Sequence, residues 1–331
     1  MAHHTELSVP SGVPLFANDF TTGQIFLFDL TDPLAPRIAA RIDSVPEYRR
    51  PHSFARLKNG NVIATLQFGN GSLPGDPGGL AEFTATGQLV RTSSAADAAF
   101  PGARIRPNGV ELLPAIDRAI TTSMPMDDEH TAHVVQVWEL SGLRVLHTIP
   151  IPPLARDSVS YYPYDARALP DGRTAMLNTY FCGLYRLSDL DSDRPRLDFV
   201  HALDRSEGCA VATVIGNYWV IPVAYGRAIV SLDVTNPMRP VEVSRLTTDS
   251  TFMPHWISAD ARSDRIVINS TDEGEPRVLV AHLDRNTGRL TWDERFRDAG
   301  SSQRGVSFKH RATGALPVMT HASLFGGRKR N

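Results

Sequence analysis

Arg50-Pro51-His52 is the first copy of a short phrase that recurs along this chain in altered form. The clear later copies read Arg106-Pro107-Asn108, Tyr162-Pro163-Tyr164 and Met253-Pro254-His255. Each copy is followed, seven to nine residues later, by a turn signal and an apolar strand, at 61–66, 118–122, 174–178 and 265–269. Two weaker copies keep the register, one at Cys209 and one at Met319-Thr320-His321. A unit that returns at this spacing indicates a repeat protein.

Between these copies lies a second recurring unit, two strand-like runs joined by a turn. The clearest examples pair 24–30 with 37–42 and 228–234 with 241–246, across the similar turns Thr31-Asp32-Pro33 and Thr235-Asn236-Pro237. Alternating apolar and polar residues with Gly, Asn, Asp and Pro at the breaks predict strands, and no long window has a helical period. The two units together predict six modules of four strands.

Six such modules predict an all-β fold, a β-propeller of six blades in one domain spanning 1–331. A seventh blade remains open. We expect both chain ends to close the ring in one shared blade. In that blade 321–325 supplies one strand, and 13–20, 24–30 and 37–42 supply the other three.

Composition narrows the range of partners. The chain has 331 residues and a formal net charge of -2, without a basic stripe, which argues against nucleic acid. No apolar run approaches membrane-spanning length, and the first ten residues carry no cleavage signature. We therefore predict a cytoplasmic protein that acts on a small molecule and not on a membrane. The oligomeric state is left open.

The two cysteines, Cys182 and Cys209, fall in different modules and have no metal-ligand spacing. This pattern does not indicate a disulfide framework. Cys182 is interpreted as structural and Cys209 as a buried free thiol. His3 and His4 are assigned to a free terminus and given no role.

The last residue of each recurring phrase is predicted to face the propeller axis. The innermost strand of every blade lines the central channel, so equivalent repeat positions lie at the same height around it. His52, His255 and His321 would come from adjacent blades. Three neutral imidazoles at one point favour a transition metal with an open coordination position. We predict a transition-metal site held by these three histidines, with copper, iron and zinc as the candidate metals.

A substrate cavity is predicted on the side of the channel opposite the histidines. Tyr164 and Asp165 are the candidate catalytic residues, since either could pass a proton to a bound molecule. The other predicted lining residues are Asn108, Cys209, Glu207, Trp256 and His310.

Two segments resemble a known family. Pro254-His255-Trp256 before a strand, and the terminal His321-Ala322-Ser323-Leu324-Phe325-Gly326, are similar to motifs of the selenium-binding protein family, which includes methanethiol oxidases. The resemblance implies a propeller with histidines around its axis, a copper or similar metal, and oxidation of a small substrate. Asn108 and Tyr164 stand where that pattern would have histidine, and the paired-cysteine motif associated with selenium is absent.

Three hypotheses follow. The first is a copper- or iron-dependent oxidoreductase that acts in the channel. The second is a metal-independent hydrolase or lyase that uses Tyr164 and Asp165 in the same channel. The third is a non-catalytic propeller that binds a partner across its face. We prefer the first, because an arc of neutral imidazoles on an axis is suited to binding a metal ion.

Overall fold

Six antiparallel sheets, each of four strands in sequential order, form the fold in a computed structural model of the chain. The structure describes residues 2–124, 126, 130–152, 161–203, 207–271, 276–309 and 320–326. The six-bladed β-propeller predicted from the repeats is confirmed. Within the described residues, the helical content is one 3₁₀ turn at Pro114–Ile116.

The first half of the chain forms blades one to three, of which only the first strand, Ala2–Thr5, falls outside the predicted runs and turns. Blade one contains β1 to β4, at Ala2–Thr5, Leu15–Asp19, Gln24–Asp29 and Arg37–Ile42. Blade two contains β5 to β8, at Arg49–Arg56, Val62–Phe68, Gly79–Phe83 and Leu89–Ser94. Blade three contains β9 to β12, at Pro107–Leu113, Arg118–Ser123, Val134–Glu139 and Arg144–Pro150.

The second half of the chain repeats the pattern. Blade four contains β13 to β16, at Pro163–Ala168, Ala175–Thr179, Gly183–Ser188 and Arg196–Ala202. Blade five contains β17 to β20, at Thr213–Ile215, Tyr218–Val223, Ala228–Asp233 and Val241–Thr247. Blade six contains β21 to β24, at Pro254–Ala259, Arg265–Ser270, Arg277–Leu283 and Leu290–Trp292, and the short β25, at Val306–Ser307, also pairs with β23.

Burial and contacts show which strand of each blade is innermost. The first strands of successive blades contact one another from β1 through β5, β9, β13 and β17 to β21. The fourth strands are largely solvent-exposed, as the alternation in β4 and β20 shows. Five clusters of buried apolar residues each span two successive blades. The core therefore lies between the sheets, and the first strands line the channel.

The predicted ring closure is wrong in one respect. The inner strand of blade one is Ala2–Thr5, and 321–325 supplies no strand to any sheet. The C-terminal segment instead lies between blades six and one, where the indole nitrogen of Trp256 donates to the carbonyl of Ser323 at 2.9 Å. Val9 also forms a parallel bridge with Gly326. Because β1 already provides the inner strand of blade one, the C-terminal segment packs along the boundary between blades six and one.

The prediction of two unpaired cysteines is also wrong. Cys182 and Cys209 form a disulfide, with their Cα atoms 5.1 Å apart. Cys182 lies in the turn after β14, and the backbone amide of Cys209 donates to the carbonyl of Tyr180 in that same turn. Contact between blades four and five thus joins residues that belong to different repeats. Disulfides persist mainly in oxidising compartments, so this bond weighs against the predicted cytoplasmic location.

Among the described residues, no helix has the length and apolar character needed to cross a membrane.

Candidate functional site

Five buried histidines meet in the channel near the beginning of the inner strands. They are His3 and His4 on β1, His52 on β5, His255 on β21, and His321 in the C-terminal segment. The most exposed of the five, His255, retains 8 % of its accessible surface. Blades one, two and six and the C-terminal segment therefore all contribute side chains to one group, the histidine cluster.

The imidazoles of the histidine cluster approach one another closely. Nε2 of His3 lies 3.2 Å from Nε2 of His52, and Nε2 of His255 lies 3.0 Å from Nε2 of His321. His3 connects these two pairs, because its ring stacks on that of His321 at a centroid distance of 4.3 Å. One ring nitrogen from each of His3, His4 and His321 lies within 4.8 Å of the other two. This spacing allows several nitrogens to bind one ion.

The backbone of the next blade determines how His52 is protonated. Its Nδ1 lies 3.2 Å from the carbonyl oxygen of Asn108. A carbonyl oxygen only accepts, so Nδ1 must carry the proton, and Nε2 of the neutral ring presents a lone pair toward His3. The same arrangement is common around metal-binding histidines, where a hydrogen bond on one nitrogen orients the other.

Burial keeps these imidazoles neutral. Desolvation lowers the pKa of His52 to about 3 and that of His321 to about 4. The pKa values of His3, His4 and His255 also lie well below the ordinary range, because burial and the neighbouring histidines both oppose a positive charge. Neutral imidazoles have the lone pairs that a metal needs.

The histidine cluster passes a direct test of fit for a metal ion. Three of its ring nitrogens are buried without a hydrogen-bond partner among the described residues: Nδ1 of His3, Nε2 of His4 and Nδ1 of His321. Unsatisfied buried polar atoms are rare and costly, and they often mark a functional site or an unseen ion. An all-nitrogen donor set suits copper, iron or zinc.

His52, His255 and His321, the predicted ligands, all belong to the histidine cluster, but the ring nitrogens that lie within 4.8 Å of one another come from His3, His4 and His321. The assignment of His3 and His4 to a free terminus is wrong, since both lie on the inner strand of blade one. One signal in the sequence pointed to them. Once 321–325 is excluded as a strand, blade one needs another inner strand, and 2–5 directly precedes the three strands recognised there.

The two candidate catalytic residues have different surroundings. The hydroxyl of Tyr164 lies 3.4 Å from Nε2 of His255, and burial raises the pKa of Tyr164 far above its usual range. Asp165 forms a buried ion pair with Arg167, at 2.6 Å. Burial outweighs that partner and raises the pKa of Asp165 to about 6. Both residues line a small cavity beneath the histidine cluster with room for a water molecule.

The other predicted lining residues are more dispersed. Asn108 and Trp256 line the same small cavity, and the rings of Trp256 and His4 are 5.2 Å apart. Glu207 is exposed and lies outside the strands. Cys209 is in the disulfide, so it cannot act as a free thiol. His310 lies outside the described residues.

Structural similarity to known proteins extends to the fold alone. No protein-family model and no curated protein matches the sequence. The structure of a hypothetical selenium-binding protein from Sulfolobus tokodaii aligns with a TM-score of 0.74 and 10% identity, over 89% of this chain and 80% of that one. A putative 6-phosphogluconolactonase from Bacteroides uniformis gives 0.62 and 15%, over 88% and 83%. The periplasmic gluconolactonase of Pseudomonas aeruginosa gives 0.63 and 14%, over 87% and 83%.

Proposed function

We propose that this propeller is a copper- or iron-dependent oxidoreductase that acts on a small molecule in its central channel. The observation that carries the proposal is the buried histidine cluster, with three ring nitrogens that have no partner among the described residues. Burying such nitrogens without a partner costs free energy, and binding a cation would offset that cost.

The donor atoms narrow the choice of metal. Imidazole suits copper, iron and zinc, whereas magnesium and calcium prefer oxygen ligands. Zinc has no redox chemistry. When bound, copper or iron would supply electron transfer and oxygen chemistry at this point of the channel. The resemblance of the Pro254-His255-Trp256 segment to the selenium-binding protein family supports a redox metal over zinc.

The chain's own residues would position and shield this site. The carbonyl of Asn108 holds His52 with Nε2 toward the cluster. The rings of Trp256 and Phe20 lie against His4 and His3, at 5.2 Å and 5.1 Å, and limit access of water. Tyr164 would hold a proton at its hydroxyl beside His255, because its raised pKa keeps it protonated at neutral pH.

Metal analysis of the whole protein tests the proposal. The tag should be C-terminal and free of histidine, because β1 begins at residue 2. We expect about one copper or iron per chain, and His321→Ala should lose most of it. His147→Ala, on the outer strand β12, is the matched control and should keep the metal. Protein that stays metal-free after exposure to either ion would contradict the proposal.

Oxygen consumption then tests the reaction class. Small thiols, phenols and alkenes are suitable first substrates. Turnover in the wild type but not in His321→Ala would support an oxidoreductase. Inactivity of the metal-loaded protein toward the whole screen would favour a binding propeller or the hydrolase.

A metal-independent hydrolase is the second candidate. Two of the similar propellers are named as gluconolactonases. In this chain, Tyr164 and His255 lie within reach of each other and could form an acid-base pair. Lactone hydrolysis that persists after chelation and in His321→Ala would favour this candidate over the oxidoreductase.

A further inference from the structure

The central channel has a second opening, the lower mouth, toward the ends of its inner strands. The space there measures about 1020 Å³, including its opening to solvent. The inner strands of blades two, three and four line it with 54–56, 110–112 and 167–168. The histidine cluster lies toward the beginning of the inner strands, so the lower mouth gives solvent a separate approach to the channel.

The lower mouth adjoins the small cavity beneath the histidine cluster. Leu7, Phe54, Val110 and Arg167 line both spaces. The first three side chains are apolar, so Arg167 carries the only charge among the described residues that the two linings share. A polar connection between the lower mouth and the small cavity therefore passes Arg167.

The guanidinium of Arg167 lies between two carboxyl groups, one in each space. Its Nη1 atom is 2.7 Å from Oδ1 of Asp165, which lines the small cavity. The same atom is 3.7 Å from Oε2 of Glu111, which lines the lower mouth. The guanidinium also donates to the carbonyls of Ala166 and Ala212, at 2.6 Å and 3.1 Å, and these bonds hold it in place. Glu111, Arg167 and Asp165 form the Arg167 trio.

The charges of the Arg167 trio balance only when one carboxyl group is protonated. Arg167 keeps its charge at any ordinary pH. The side chains of Asp165 and Arg167 retain 4% and 9% of their exposure, and that of Glu111 retains 21%. Two carboxylates beside one guanidinium would leave a net negative charge away from water, which is costly. One proton on either carboxyl group removes that cost.

The pKa values of both carboxyl groups agree with this charge count. Burial raises the pKa of Glu111 to about 7 and that of Asp165 to about 6, although Arg167 acts in the opposite direction on both. The charge of Asp165 adds to the rise at Glu111. Because the two groups interact, a single proton near neutral pH belongs to the pair.

The other charged groups around the Arg167 trio have separate partners or lie at the rim. In the lower mouth, Glu6 and Arg56 form their own ion pair at 2.6 Å, and Lys58 is exposed. Arg118, on the neighbouring strand β10, donates to a backbone carbonyl of blade four. The other titratable side chains that line the small cavity are those of His4 and Tyr164. Since Arg56 matches Glu6, the charge imbalance belongs to the trio.

We propose that Glu111 and Asp165 carry one exchangeable proton between solvent at the lower mouth and the small cavity. Glu111 takes a proton from water, and Asp165 releases one to a molecule in the cavity, so the net charge of the trio alternates between neutral and negative. Transfer between the carboxyl groups passes through water beside the guanidinium, because Arg167 keeps its own protons. The exchangeable proton needs no metal. Its use in a reaction at the histidine cluster rests on the proposed function.

Infrared difference spectra of the metal-free, full-length protein across neutral pH test the exchangeable proton. We expect a protonated carboxyl band that appears as the pH falls through about 7. Glu111→Gln should abolish this titration, because the remaining pair of Asp165 and Arg167 is balanced with the carboxylate ionised. Labelling the glutamate carboxyl groups of the wild type with carbon-13 should shift the band, which assigns it without any substitution.

A matched control separates this proposal from the metal proposal. Glu139→Gln removes the partner of Arg144 in an ion pair of the same blade, and it should leave the titration unchanged. A wild type without a carboxyl group that titrates near neutral pH would overturn the exchangeable proton. So would a titration that persists in Glu111→Gln. A protein that shows the titration but binds neither copper nor iron would contradict only the proposed function.

The delivery of the proton has its own measurement. With a substrate from the oxygen screen, Glu111→Gln should lower kcat roughly 100-fold, the lower end of what a positioned proton donor contributes. KM and metal content should change little. Added phosphate, a weak acid that can enter the lower mouth, should restore part of kcat in this variant, and Glu111→Asp should retain more activity than Glu111→Gln. A kcat in Glu111→Gln equal to that of the wild type would overturn the delivery step.

Discussion

Nδ1 of His52 lies 3.2 Å from the carbonyl oxygen of Asn108, the residue at the equivalent repeat position of the next blade. The two strands belong to different sheets, so the spacing of blades around the ring sets the direction of this imidazole. A side chain held by its neighbour's backbone loses little freedom when it binds an ion. The propeller thus orients part of its candidate site before any ligand is present.

Ser53→Ala should weaken metal binding without abolishing it. The Ser53 hydroxyl lies 3.1 Å from Nδ1 of His52 and 3.2 Å from Nδ1 of His4, and it can accept from both rings. Loss of such a partner around metal ligands typically costs 10-fold to 100-fold in affinity. Competition with a chelator of known affinity measures the change. Ser72→Ala, in an exposed loop, should match the wild type, and equal affinities for all three proteins would contradict this role.

Acid should destabilise the metal-free protein because of its histidines. The unfolded chain binds a proton at each imidazole near pH 6.5, whereas burial lowers the pKa of His321 to about 4 in the folded state. Between these values the unfolded state binds more protons, so stability falls as the pH falls. His321 alone should account for on the order of 3 kcal/mol between pH 6.5 and 4.

Urea denaturation at several pH values measures this dependence. His321→Gln should show a shallower loss of stability than the wild type between pH 6.5 and 4, and His147→Gln should not. A slope that His321→Gln leaves unchanged would mean that the imidazole is not neutral in the folded protein.

Glu6→Gln should destabilise the fold through a buried ion pair. Glu6 and Arg56 lie 2.6 Å apart, with side chains that retain 2% and 8% of their exposure. Removing one partner leaves a buried charge uncompensated, at a typical cost of about 3 to 5 kcal/mol. Glu242→Gln, which breaks an exposed pair with Arg245, should cost about 0 to 1 kcal/mol. Similar midpoints of chemical denaturation for the two variants would contradict the prediction.

Reduction of the Cys182–Cys209 disulfide should lower stability. The bond closes a loop with a sequence separation of 27, which corresponds to about 3 to 4 kcal/mol in the chain-entropy description. Guanidinium denaturation with and without dithiothreitol measures the difference. The double variant Cys182→Ser with Cys209→Ser should be insensitive to the reductant. Two free thiols per chain, titrated in the denatured and unreduced protein, would show that the bond does not form.

Tyr164→Phe should separate proton transfer from metal binding. The Tyr164 hydroxyl lies 3.4 Å from Nε2 of His255, so its removal leaves every imidazole in place. We expect the variant to keep its metal and to lose turnover roughly 100-fold or more, the usual contribution of a positioned acid or base. His52→Ala should lose both. Metal analysis and oxygen consumption on the same preparations provide the comparison, and full turnover in Tyr164→Phe would exclude a catalytic role.

The sequence by itself predicted six blades, with a seventh left open, and most of their strands. The predicted run 37–42 coincides with Arg37–Ile42, and 118–122 lies within Arg118–Ser123. Alternating burial and turn residues can be recognised locally, and their recurrence in each repeat makes the strand pattern easier to detect. The placement of His52 and His255 in one channel also followed, because equivalent repeat positions lie at one height around an axis.

Only the tertiary structure decided which further residues join the site. Ala2–Thr5 has no recurring phrase before its turn, so His3 and His4 carried no repeat signal, and they reach the channel because β1 pairs with β2. The disulfide was hidden for a related reason, since Cys182 and Cys209 touch across the boundary between two blades. Such contacts depend on how separate sheets pack, which no local pattern along the chain records.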